Sequence, residues 1–101
     1  MMERTQRAFR LGQIVATPAA IAEVHPEDMR RCLNRHACCD WGDCGKEDAQ
    51  SNEEALGQEL RLFSVYKDRN GTKFWIITEA DRSATNVELH ISHLMLSSRK
   101  C

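Results

Sequence analysis

The chain has 101 residues, of which 29% are charged and 6% aromatic, and its net charge is −1. That length holds one domain around one modest core, so residues 1–101 read as a single domain. The near-neutral balance excludes a chain that coats nucleic acid by charge alone, and no apolar run approaches the ~20 residues needed to cross a bilayer.

The average conceals an asymmetry. Residues 40–59 carry seven acids (Asp40, Asp43, Glu47, Asp48, Glu53, Glu54 and Glu59) and one base, Lys46. The rest of the chain carries thirteen bases against eight acids. A local acidic surface is therefore expected, and it favours a basic partner. Residues 1–10 contain bases but no apolar core, which is not the pattern of a secretory leader. Five cysteines, an odd number crowded towards the middle, fit reduced thiols in a cytoplasm better than a secreted disulfide framework.

In chain order, residues 9–16 (FRLGQIVA) read as a first strand with Gly12 as a bulge. Thr17-Pro18 starts a short helix, with Thr17 capping and proline in the first turn. That helix stops before Pro26, because a residue preceding proline avoids the helical region. Pro26 opens a second helix, with Glu27 and Asp28 at its positive end. Met29, Cys32, Leu33, His36 and Ala37 form its apolar stripe. Residues 40–45 read as a turn, with Trp41 near the core. A third helix follows over 46–56, with Gly57 as its C-cap and Asn52 tying it to the preceding loop.

Residues 60–67 and 73–78 are strands flanking an Asn70-Gly71 hairpin signal. Phe74-Trp75-Ile76-Ile77 is apolar on both faces, as a central strand is. Residues 86–91 alternate, with Val87, Leu89 and Ile91 inward and Glu88 and His90 outward. The expected fold is α+β: a small antiparallel β-sheet of three to four strands packed against two or three N-terminal helices. The ends, residues 1–8 and 95–101, are expected to be flexible.

The stretch CLNRHACCDWGDC over residues 32–44 invites a chemical reading. Cys32, His36, Cys38, Cys39 and Cys44 are candidate zinc ligands, but the spacing lacks the paired knuckles of a structural site. Cys32 and His36 also fit the apolar stripe, where a free thiol behaves as a small hydrophobe. Cys44 as a nucleophile is opposed by Asp43, Glu47 and Asp48, which disfavour a thiolate. Asp40, Asp43, Glu47 and Asp48 with Glu79 and Asp81 could hold a divalent ion, but turns and helix starts use the same residues. No metal, cofactor or catalytic residue is assigned. The polar run over residues 78–85 leaves a buried strand, so Glu79, Asp81 and Arg82 join the binding candidates. Arg4, Arg7 and Arg10 lack interleaved aromatics and read as a solvated terminus.

Four pieces carry a family resemblance: LGQIVATPAA (residues 11–20), RHACCDWGD (35–43), the trio Glu47, Asp48 and Asn52, and FWIITEADRSAT (74–85). The chain resembles a family of small bacterial proteins of plasmids and other mobile elements. The resemblance implies no catalytic residues. It implies non-cysteine residues at positions 38, 39 and 44 in relatives, and an acidic tail from which residues 90–101 depart. The expected function is a non-enzymatic protein-binding module of a mobile element. It would act on a basic nucleic-acid-binding host protein, as an inhibitor of a defence nuclease or CRISPR complex. Its partner-binding residues are Asp40, Asp43, Glu47, Asp48, Glu53, Glu54, Glu79, Asp81 and Arg82. Direct nucleic-acid binding and membrane binding are not expected, and homo-oligomerisation stays open. The alternative is a small metal-dependent enzyme or zinc module on residues 32–48.

Overall fold

A computed structural model describes residues 7–90. Four strands and three helices follow the order β1 (Gln13–Ala16), α1 (Pro18–Glu23), α2 (Pro26–Ala37), α3 (Lys46–Gln58), β2 (Leu62–Lys67), β3 (Lys73–Thr78) and β4 (Ala84–Leu89). The fold is α+β, and the sheet order is β1-β4-β3-β2. The two expected central features hold: β3 lies inside the sheet, and α2 buries Cys32, Leu33, His36 and Ala37.

The sheet is mixed rather than wholly antiparallel. β2, β3 and β4 pair antiparallel, but β1 runs parallel to β4, with Ile14 beside Thr85 and Ala16 beside Val87. The chain leaves β1 through the helices and returns to the sheet at its far edge, so the last strand meets the first side by side. All three helices fall between β1 and β2, which places α3 in mid-chain.

Local chemistry explains most boundaries. Thr17 Oγ1 accepts from the Ala20 amide at 3.1 Å, and Pro18 stands in the first turn of α1. His25 caps α2 through Nδ1, and Pro26 follows it. Helix α3 runs past Gly57 and ends on Glu59, whose φ of 54° supplies the left-handed cap expected of the glycine. The β2–β3 turn is longer than a two-residue hairpin. The Gly71 amide bonds to Asp68 O, Gly71 alone takes positive φ, and Asp68 Oδ1 accepts from the amides of Asn70 and Thr72.

Helices α1 and α2 cover one sheet face. Ala20, Val24, Cys32, Leu33 and Ala37 pack there on Tyr66, Phe74, Ile76 and Val87. A second cluster joins Trp41 and Ala55 to Leu62. The outer edge of β2 is covered from two sides. Asn52 holds both backbone groups of Phe63, at 2.7 and 3.0 Å, so it ties α3 to the following strand rather than to the preceding loop. The Val65 backbone is paired by Trp41 O and the Asp43 amide. An edge closed in this way offers no template for a further strand.

His90 does not face solvent. It is 6% exposed and meets Trp75 edge-on at 4.9 Å. Strand β4 ends at Leu89, and Ile91 lies outside the described residues. Of the ends expected to be flexible, residues 1–6 and 95–101 also lie outside them. Ala8 donates its amide to Ala37 O at 2.8 Å.

Candidate functional site

The stretch over residues 32–44 divides into an interior half and a turn. His36 is fully buried, with Nδ1 at 2.5 Å from Ser64 Oγ and Nε2 at 2.8 Å from Thr78 Oγ1. Thr78 Oγ1 lies 2.8 Å from Thr85 Oγ1, and the Thr85 hydroxyl donates to Leu11 O at 2.7 Å. Each hydroxyl has one proton to give, and this fixes the direction of the whole chain. Thr85 gives its proton to Leu11 O, so Thr78 donates to Thr85. His36 then donates from Nε2 to Thr78 and accepts at Nδ1 from Ser64. Burial lowers the His36 pKa to about 3, with the Arg82 charge adding to the effect. The imidazole is a neutral link between α2 and three strands, with no nitrogen left for a metal ion.

The described cysteines do not gather into a metal-binding group. Cys32 is buried and its thiol pKa is raised by that burial. Cys38, Cys39 and Cys44 are half-buried, and Cys44 donates to Phe63 O at 3.4 Å. Among the described residues no group of three or more His, Cys, Asp or Glu side chains is placed to hold a metal ion.

The turn is held from all sides. Arg35 grips Asp40 through Nε at 2.7 Å and Nη2 at 3.2 Å, and this bond holds the Asp40 carboxyl below its ordinary pKa. Asp40 Oδ1 also accepts from the Gly42 amide, and Asp40 O accepts from the Tyr66 hydroxyl. Trp41 is 6% exposed, stacks on Phe9 and donates to Glu53 Oε2 at 3.0 Å. Gly42 has a φ of 71°, and a Cβ there would meet Val65 O and the Tyr66 ring. Only glycine allows the turn to lie this close to β2.

Glu79, Asp81 and Arg82 are engaged within the molecule. Glu79 pairs with Arg61 at 3.6 Å and accepts from Asn86. Asp81 Oδ1 accepts from the Ser83 amide. Arg82, at a φ of 63°, donates to the carbonyls of Leu60, Glu79, Ala80 and Ala55. Its guanidinium fastens the C-terminal end of α3, where carbonyls gather negative partial charge.

The remaining predicted residues lie on α3 or just before it. Asp43, Glu47, Asp48, Glu53 and Glu54 are all exposed. Asp43, Glu47, Asp48 and Glu54 make no ion pair among the described residues. Asp43 precedes α3, Glu47 and Asp48 occupy its first turn, and Glu54 lies further along the same helix.

A second polar region escaped sequence reasoning. Asp28, on α2, accepts from the Arg69 amide at 2.7 Å and from its guanidinium at 3.0 and 2.9 Å. These bonds hold the Asp28 carboxyl well below its ordinary pKa. Arg31 and Glu27 join the network through Asp28 and Arg69 respectively. Asp68 Oδ2 accepts from the His25 amide at 2.9 Å, so both hairpin residues fix the start of α2. A cleft of about 320 Å³ opens between α2 and the hairpin, with Cys32 at its wall. Asp28 and Arg69 stand 41 residues apart, and no local pattern links them.

Comparison with known proteins found no matching family model, no matching curated protein and no matching solved structure. No helix among the described residues is long and apolar enough to cross a membrane.

Proposed function

We propose that the chain is a non-enzymatic, cytoplasmic binding module of a mobile genetic element, and that it engages a basic protein through the acidic face of α3. One observation carries this reading. Asp28, Asp40, Glu27 and Glu79 are each paired with an arginine, whereas Asp43, Glu47, Asp48 and Glu54 are exposed and have no such partner. Unneutralised carboxylates on a firm helix can take the place of phosphates in a site built for nucleic acid. A basic nuclease or CRISPR complex of the host is the partner that fits this chemistry and the resemblance to mobile-element proteins.

The alternative, a metal-dependent enzyme or zinc module on residues 32–48, has less support. Both His36 nitrogens are engaged and Cys32 is buried. The test is capture of a basic nucleic-acid-binding host protein on the immobilised chain at low and at high salt. Capture that weakens steeply with salt supports the proposal. Capture insensitive to salt would remove its electrostatic basis.

A further inference from the structure

The cleft between α2 and the β2–β3 hairpin has a surplus of hydrogen-bond donors. Its acids are saturated. Asp68 accepts from three backbone amides, and the two Asp28 oxygens accept from Arg69 and Arg31. Its cations are not. Lys67 lines the cleft and makes no ion pair or hydrogen bond among the described residues. Arg35 uses Nε and Nη2 on Asp40 and lies over the Tyr66 ring at 4.8 Å beside the Cys32 thiol, so it adds positive charge to the cleft wall. Arg31 is 66% exposed and reaches Asp28 at 3.4 Å through Nη1 only.

From these contacts we infer that the cleft binds the phosphate group of a small phosphorylated molecule. Cationic side chains approach from two elements, Arg31 and Arg35 on α2 and Lys67 at the end of β2. A tetrahedral phosphate presents oxygens to both walls, whereas a planar carboxylate meets one fork at a time. The volume, about 320 Å³, falls at the small end of ligand pockets and suits a nucleotide-sized molecule better than a polymer. This site is separate from the acidic face of α3, and its failure would leave that face untouched.

The experiment is an NMR titration of the isotopically labelled full chain with inorganic phosphate, a nucleoside monophosphate and acetate in turn. The expected result is saturable shifts at residues 31–35 and 67–69 with both phosphate probes, and weaker binding of acetate. The nucleoside arm decides whether free phosphate or its ester is preferred. Lys67→Glu and Arg31→Gln, both at exposed side chains, should each weaken phosphate binding by about tenfold or more while the folded spectrum persists. No saturable shift at millimolar phosphate would overturn the inference. So would unchanged affinity in both variants, or tighter binding of a single-stranded oligonucleotide than of the monophosphate.

Discussion

Helices α2 and α3 are nearly equal in length, 12 and 13 residues, and both are rich in polar side chains. They use them in opposite ways. On α2, Glu27, Asp28, Arg31, Arg35 and His36 are all engaged with partners inside the molecule. On α3, Asn52 is turned to β2 and Glu53 holds Trp41, but Glu47, Asp48 and Glu54 have no ion pair among the described residues. The difference separates charge that builds the fold from charge presented outward. Substitutions at the buried Asp28 and His36 of α2 should therefore act on stability, and substitutions on the outer face of α3 should act on binding.

The largest effect is expected at His36. His36→Ala removes a fully buried ring and leaves Ser64 and Thr78 without their partner. A loss of about 3–5 kcal/mol in unfolding free energy is expected from urea denaturation. If the variant lost less than about 1 kcal/mol, the ring would not be the tie between α2 and the sheet.

Acid should reach the same group. The unfolded imidazole takes up a proton near its ordinary value of 6.5, while the folded one resists down to about 3. The unfolded state then holds more protons across that window. Stability falls as pH drops from 6.5 towards 3, by about 1.4 kcal/mol per unit from this group. The lowered carboxyl pKa values of Asp40 and Asp28 add their own loss only as pH falls below their ordinary 3.8. Calorimetric unfolding between pH 7 and pH 5 should show the loss, and a pH-independent midpoint there would contradict the neutral, buried imidazole.

Gly42 tests the junction between the two helices. Gly42→Ala must place a Cβ against Val65 O at a φ of 71°. A loss of about 1–3 kcal/mol is expected by denaturant unfolding. A fully stable Gly42→Ala protein would show that the turn can stand away from β2.

Much of α2 was legible because its signal is periodic. Burial of Cys32, Leu33, His36 and Ala37 follows from a stripe every third or fourth residue. The interior position of β3 followed from two apolar faces, and the place of Trp41 near the core from its turn between helices. Other features depend on contacts distant in sequence and left no local mark. The parallel pairing of β1 with β4 is of this kind, as are the Asp28–Arg69 network and the inward course of Arg82. The α3 terminus misled for a different reason. Gly57 offers the conformational freedom of a cap, but the helix continues and Glu59 adopts the left-handed turn. Within the candidate site, sequence reasoning located the acidic stretch. It could not tell Asp40, which Arg35 holds, from Asp43, which makes no ion pair among the described residues.

The smallest expected effect on stability belongs to the outer face of α3, and it is the most informative for function. Glu47→Lys, Asp48→Lys and Glu54→Lys combined reverse three exposed charges and spare Glu53, whose carboxylate holds Trp41. The measurement is the unfolding free energy of this triple variant together with its capture of a basic nucleic-acid-binding host protein. The expected result is stability within about 1–2 kcal/mol of the parent, allowing for the first-turn dipole, and loss of capture. A folded triple variant that still captured the same partner would contradict the acidic face as the binding surface.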